Sequence, residues 1–220
     1  MAPVESAHDL SEAQIVREPI RAVAFDLFGT LVTKGAGWRA YRELFRALPP
    51  WKWRMARRAA LTEPLETISE FHARVGARWG PGPEHFERLV AEDLAAIELF
   101  ADSIPTLVEA RERGLSVALL SNLASPYKRP VFELGLAPYF DALVFSCDVG
   151  MAKPDRQIYE RLAGMLDVSP AQVLMIGDTR GDDVTGAKRA GLQALHLDRS
   201  GRRGDLRAFE RLFEHPLLVG

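Results

Sequence analysis

The sequence predicts an α/β fold, a parallel sheet covered by helices, with a helical segment inserted after the first strand. Three observations carry this prediction. From about residue 103 onward short apolar runs alternate with helical-period segments, the pattern of strands joined by helical crossovers. The first run, Ala22-Val23-Ala24-Phe25-Asp26-Leu27, is continuous rather than alternating, as expected of a strand buried on both faces. Between them, residues 36 to 101 carry helical periodicity and no strand pattern.

The first strand ends at Asp26, and Phe28-Gly29-Thr30 turns the chain, with glycine marking a close backbone approach. Trp38, Tyr41, Leu44, Phe45 and Leu48 then recur at helical spacing until Pro49-Pro50 stops them. Further helical patterns cover 51–61, 65–79 and 84–99, separated by Glu63-Pro64 and by Gly80-Pro81-Gly82-Pro83. Leu115–Leu120 and Ala142–Ser146 read as strands, Asp155–Leu166 as a helix and Val173–Ile176 as a strand. Asp183–Ala190 reads as a helix and Gln193–Leu197 as the last strand. The tail from Ser200 is basic and then apolar at Phe209, Leu212 and Phe213, the pattern of a packing helix. The domain reading is a core of residues 18–34 and 102–220, a helical cap of 35–101, and a flexible N-terminal segment of 1–17.

Composition narrows the function classes. Apolar residues at 47% and charged residues at 26% exclude a disordered chain, a collagen and a disulfide scaffold. Twenty-eight basic against 30 acidic side chains leave a net charge of −2, so no bulk field draws the chain to nucleic acid or to a membrane surface. No apolar stretch is long enough to span a bilayer, and no secretory leader pattern opens the chain. A single cysteine, Cys147, implies a reducing, cytoplasmic setting and reads as a buried small residue. The expected partner is a small anionic substrate, not nucleic acid, and the chain is a monomer or homodimer. The five histidines are scattered without metal-ligand spacing.

In an open parallel sheet, ligands bind beyond the carboxyl ends of the strands. Four such ends carry polar groups here: Asp26, Ser121-Asn122, the segment reaching Lys153, and Gly177-Asp178. Each has a bland reading as well. Asp26 would cap a turn, Ser121-Asn122 would cap the helix running through Val131, Lys153 would be merely solvated, and Asp178 would cap the helix after it.

The stretches Asp26-Leu27-Phe28-Gly29-Thr30-Leu31, Ser121-Asn122, Lys153-Pro154-Asp155 and Gly177-Asp178-Thr179-Arg180-Gly181-Asp182-Asp183 resemble, in order, the four motifs of the haloacid dehalogenase superfamily. The resemblance covers about residues 20–200 and implies a Rossmann-like sheet under a helical cap, like that of the dehalogenase and phosphoglycolate phosphatase branches. It implies Asp26 as nucleophile, Ser121 and Lys153 as catalytic partners, and Leu27, Thr30 and Asn122 as substrate contacts. It implies Mg²⁺ held by Asp26, the Phe28 carbonyl and Asp178, with Asp183 in support and Asp182 ambiguous. Three carboxylates opposed by one lysine leave about −2 locally, which a hard divalent cation relieves.

Phe28 departs from the phosphatase pattern, in which a second aspartate works as general acid and base. An aromatic residue there is similar to the dehalogenases, which use no metal and in which an arginine soon after the first motif, Arg39 or Arg42, would hold the halide. The favoured expectation is a Mg²⁺-dependent phosphohydrolase acting on an acyl or aryl type of phosphate. The alternatives are a metal-independent 2-haloacid dehalogenase and a catalytically weak binding protein. Residues 38–58 carry seven basic side chains against Glu43 alone, with Trp51 and Trp53 interleaved. They read as an anion-selecting lid, as a patch for an acidic partner or nucleic acid, or as a solvated basic face over a buried tryptophan. Tyr159 stands where dehalogenases carry an active-site tyrosine, or faces the core.

Overall fold

The computed structural model describes residues 18–77 and 80–219. The segment expected to be flexible, 1–17, and the last two residues of the helical pattern over 65–79 lie outside the described residues.

Five parallel strands form one sheet: β1 (Ala22–Phe25), β2 (Ser116–Ser121), β3 (Ala142–Phe145), β4 (Val173–Gly177) and β5 (Gln193–His196), ordered β3-β2-β1-β4-β5. This is a Rossmann-like α/β core. β1 lies at its centre, and Phe25 aligns with Leu119 on one side and Ile176 on the other. Alternate residues of β1 feed opposite faces. Val23 and Phe25 join the cluster that includes Phe209 and Phe213 of the tail, while Ala22 and Ala24 join Leu120, Met175, Ile158 and Leu162 on the other. Burial on both faces is why this strand shows no polar alternation.

Residues 35–101 hold four helices: α1 (Arg39–Ala47), α2 (Trp53–Thr62), α3 (Ile68–Val75) and α4 (Pro83–Ala95). Thr67 caps α3 by accepting the Glu70 amide at 3.1 Å, and Gly76, at φ 59°, ends it. Lys52 covers the same end, donating to the carbonyls of Val75 at 2.8 Å and Gly76 at 3.3 Å. Buried Asp93 of α4 fastens this segment to the sheet side. Its carboxylate accepts the Tyr127 hydroxyl at 2.7 Å and the Ala40 amide at 3.2 Å.

The two chain crossings between helical segment and sheet run side by side. Val32 and Leu99 form an antiparallel bridge, the Thr33 amide donates to Glu98 O at 2.8 Å, and the Phe100 amide donates to Leu31 O at 3.1 Å. The Thr33 hydroxyl accepts the Glu98 amide, and the buried Ser103 hydroxyl donates to Leu31 O.

The remaining helices are α5 (Ser103–Glu112), α6 (Arg129–Glu133), α7 (Ser146–Val149), α8 (Arg156–Met165) and α9 (Ala187–Arg189). Two expectations need correction. The helix expected over Asp183–Ala190 is a wider π-helical turn over Arg180–Gly186 that runs into α9. The turn is held by Asp183, which accepts the Thr179 amide at 2.8 Å. The tail forms no packing helix among the described residues, only a single 3₁₀ turn at Leu212–Glu214. Asp198 gathers the amides of Ser200, Arg202 and Arg203 into a loop, yet Phe209, Leu212 and Phe213 are still buried. Cys147 is buried in α7, as read, and burial first of all raises its thiol to about 11. No helix among the described residues is long and apolar enough to cross a membrane.

Candidate active site

The carboxyl ends of β1, β2 and β4 open into a cavity of about 500 Å³, closed on its far side by α1 and α2. Asp26 follows β1 and is nearly buried, and its amide donates to Ile176 O at 2.9 Å, so the sheet itself positions this residue. Lys153 reaches in from the loop before α8. Its ammonium donates to Asp26 Oδ1 at 2.8 Å, Asp183 Oδ1 at 2.6 Å and Leu120 O at 2.8 Å. A lysine with 5% exposure and three oxygen partners is not a solvated one.

The charges shape one another. Burial is the largest influence on Asp26 and pushes its carboxyl up to about 6; Asp183 adds to the rise and Lys153 opposes it. Burial alone would lower Lys153, but the Asp26 and Asp183 carboxylates outweigh it and hold the ammonium above its usual range. Burial also raises Asp182.

Two glycines make room for the carboxylates. A Cβ on Gly177 would stand 2.3 Å from Asp183 Cγ, and one on Gly29 would stand 2.5 Å from Asp178 Oδ2. Gly29 also sits at φ 81°, where a side chain is strained. Asp26, Asp178 and Asp183 thereby each offer a carboxylate oxygen within 4.8 Å of the others. The Leu27 carbonyl accepts the amides of Thr30, Leu31 and Val32, curling the turn so that the Phe28 carbonyl is left without a donor among the described residues. A hard oxygen set of this kind suits a small divalent cation with water completing its shell. Both oxygens of Asp183 are engaged, by Lys153 and by the Thr179 amide, so it supports the set from behind.

The structure brings together Asp26, Phe28, Ser121, Asn122, Lys153, Asp178 and Asp183 around one cavity. The Asn122 side chain is spent on Lys153: Nδ2 donates to Lys153 O and Oδ1 accepts its amide, both at 2.8 Å. Leu27 and Thr30 do not line the cavity. Leu27 is buried in the core, and the Thr30 hydroxyl is buried without a partner. Arg39 and Arg42, expected to meet substrate or halide, are elsewhere. Arg39 pairs with Glu92 of α4, and Arg42 is exposed and donates to Ala36 O at 3.4 Å. The Tyr159 hydroxyl donates to the Asp182 carbonyl inside the core.

Sequence reasoning missed Lys34 and Trp38 as lining residues, while Asp182, left ambiguous, and Arg57, one cation of the lid reading, also line the cavity. Lys34 ion-pairs with Asp178 Oδ2 at 2.5 Å. Trp38 takes a left-handed backbone, φ 60°, which costs a bulky residue on the order of 1–3 kcal/mol. Its ring stacks on Tyr127 at 5.5 Å and meets the edge of Phe28 at 5.7 Å, forming an aromatic wall with Tyr41 and Phe45. The basic run of 38–58 divides its labour, with Arg39 and Lys52 tied internally and Arg57 facing the cavity. Trp51 and Trp53 are 80% and 48% exposed, against the expectation of a buried tryptophan beneath a solvated face.

Residues 20–191 match the model of the haloacid dehalogenase-like hydrolases. A phosphoserine phosphatase of Thermus thermophilus is 36% identical over 49% of this chain and 43% of its own length. A glyceraldehyde 3-phosphate phosphatase of Methanopyrus kandleri is 29% identical over 85% and 87%. Among solved structures, a 2-haloacid dehalogenase of Pseudomonas syringae superposes with TM-score 0.62 at 22% identity, covering 91% of this chain and 98% of that one. A HAD family enzyme of Bacteroides thetaiotaomicron, solved with magnesium and inorganic phosphate, superposes with TM-score 0.61 at 18% identity, covering 88% and 99%.

Proposed function

The chain belongs to the haloacid dehalogenase-like hydrolases, and from that premise we propose that it is a Mg²⁺-dependent phosphohydrolase acting on a small anionic phosphate through Asp26. The observation that carries this reading is the convergence of the Asp26, Asp178 and Asp183 carboxylates within 4.8 Å. Lys153 and Lys34 together do not balance three such charges, which a divalent cation would. Residues 35–101 act as the cap that closes over the substrate. A chain with Cys147 as its single, buried cysteine suits the cytoplasm.

Asp26, the Phe28 carbonyl and Asp178 would hold Mg²⁺, with Asp183 steadying them. When bound, the ion neutralises charge on the phosphoryl oxygens. Lys153 holds Asp26 in place through Oδ1 and leaves the other oxygen to attack phosphorus. A bond forms between Asp26 and phosphorus as the bond to the leaving oxygen breaks, and the leaving group departs with the electron pair. Ser121 lies at the end of β2 to steady the transferring group. Water then cleaves the phosphoryl-aspartate, releasing phosphate and restoring Asp26.

Phe28 has no proton to give. The first step therefore favours leaving groups stable as anions, such as acyl or aryl phosphates. The aromatic wall of Phe28, Trp38, Tyr41 and Phe45 suits the body of such a substrate. The dehalogenase alternative rests on Phe28, but it loses its expected halide site because Arg39 and Arg42 do not line the cavity.

The deciding experiment is turnover of p-nitrophenyl phosphate by wild type and Asp26→Asn, with excess Mg²⁺ and with EDTA. Turnover that requires both Asp26 and Mg²⁺ supports the proposal. Silence on the phosphate together with release of chloride from 2-chloropropionate in EDTA overturns it in favour of the dehalogenase. Silence on both substrates leaves the binding-protein reading.

A further inference from the structure

A second concavity of about 560 Å³ adjoins the catalytic cavity, and Arg57, Leu61, Lys153 and Asp182 line both. Its outer wall is α2, which presents Arg54, Arg57 and Arg58 to it. Spacings of three and four residues put Arg54 on one helix face with the other two. No acidic residue occurs in α2, and no carboxylate lies within ion-pair distance of these arginines among the described residues. Some exposed arginines elsewhere are matched in place, Arg113 with Glu109, Arg129 with Glu133 and Arg156 with Glu160, and others, such as Arg46 and Arg161, are not; what sets Arg54, Arg57 and Arg58 apart is the groove they line together. A merely solvated basic face would lie on a convex surface; this one faces a groove that opens onto the nucleophile. Asp155 and Asp182 on the opposite wall lower its positive charge without cancelling three guanidiniums. Trp53 also lines the groove. Its indole N–H donates to Leu48 O at 3.0 Å, which fixes a half-exposed ring as a flat platform.

We propose that this groove is a second anion subsite, so that the substrate is a two-headed anion whose phosphate meets Asp26 while a distal phosphate or carboxylate meets Arg54, Arg57 and Arg58. The assignment rests on the phosphohydrolase reading for its first head. Guanidinium forks suit either oxyanion, since each binds its planar donors in pairs. The connecting body lies along Trp53 and Leu61.

The test measures binding, so that it stands apart from turnover. Dissociation constants of phenylphosphonate, 1,4-phenylenebisphosphonate and 4,4′-biphenylenebisphosphonate are measured by titration calorimetry on the full chain with Mg²⁺. At least one bisphosphonate should bind tenfold or more tightly than phenylphosphonate. The triple variant R54A/R57A/R58A should bring that ratio to within twofold of one. Arg57→Glu, at an exposed position that keeps the helix intact, should abolish the preference by itself. Equal affinities in the wild type, or a preference that survives both variants, would overturn the proposal. A bisphosphonate preference in a protein that fails to turn over p-nitrophenyl phosphate would instead sink the phosphohydrolase reading and leave the subsite standing.

Discussion

Replacing Phe28 by aspartate tests the proton account directly. Phe28 is 6% exposed, and its ring meets Trp38 at 5.7 Å and Tyr127 at 6.2 Å. Truncating a buried phenylalanine costs about 3–5 kcal/mol, so Phe28→Asp should lose about 2–4 kcal/mol of stability because one side of the position is open to the cavity. The new carboxyl would stand in an apolar wall near Asp26 and Asp178. Both influences raise its affinity for a proton, as a general acid at neutral pH requires. Such catalysis typically supplies 10²–10⁴ in rate, and only to leaving groups that need the proton. The assay compares kcat/KM for glycerol phosphate, whose alkoxide leaves poorly, with p-nitrophenyl phosphate, whose phenolate leaves well. Phe28→Asn serves as the control of equal size that cannot titrate. The aspartate variant should exceed the asparagine variant at least tenfold on the alkyl ester, and the two should agree within about threefold on the aryl ester. Two folded variants of equal rate on glycerol phosphate would refute the idea that a missing acid limits this enzyme.

Two further predictions concern the charges. Asp26 titrates near 6 in the folded chain, chiefly through burial, against 3.8 unfolded, so the native state binds the proton more tightly. Stability without metal therefore falls as pH rises from about 3.8 to about 6 and stays lowered above it, by at most about 3 kcal/mol. Asp26→Asn removes that charge while Lys153 keeps Asp183 and the Leu120 carbonyl. Denaturant unfolding in EDTA should show the variant more stable by about 1–3 kcal/mol at pH 7.5, with the gap closing by pH 4; a variant less stable at pH 7.5 contradicts the burial argument. Arg199, half-buried, donates to Thr30 O at 2.6 Å and to Asp102 Oδ1 at 3.0 Å, and lies over the Phe100 ring at 3.8 Å. Arg199→Ala should cost about 2–4 kcal/mol, and Arg199→Lys should recover less than half because an ammonium lacks the planar fork that pairs with both Asp102 oxygens and the flat face that lies over Phe100; thermal melts of the pair decide it.

The sheet was legible because buried parallel strands are continuous apolar runs, and the polar residues at their ends fall where such a sheet binds ligands. The tail was not. Phe209, Leu212 and Phe213 are spaced as on a helix, but the Asp198 carboxylate draws the amides of Ser200, Arg202 and Arg203 around itself, and Arg199 anchors to Thr30 far back in the chain. Local pattern cannot reveal partners that lie so far away. The same reason misplaced Arg39, whose acid, Glu92, is 53 residues distant, and hid Lys34, which reaches Asp178 from outside any motif. Trp38 was taken for a helix-face residue, yet it precedes α1 with a left-handed backbone, and its ring is held by Tyr127 and Phe28 from the sheet side. The π-helical turn after Asp178 is set by the Asp183 side chain closing on the Thr179 amide, a contact that competes with a regular helix.

The paired crossings at Val32 and Leu99 have a consequence for how this chain can be altered. Because departure and return are bonded neighbours, the 66 residues between them form a loop whose ends already touch. Deleting or exchanging that loop would leave the hydrogen bonds among β1, β2 and β4 in place, and a short hairpin joining Val32 to Leu99 would bridge the gap. In the proposed reading the protein is thus a base with an interchangeable visor. Under the proposed cap reading, grafting a visor from another family member onto this base would transplant substrate choice as a single cassette, with Asp26 and Lys153 left in place beneath it and Asp178 losing only its Lys34 partner.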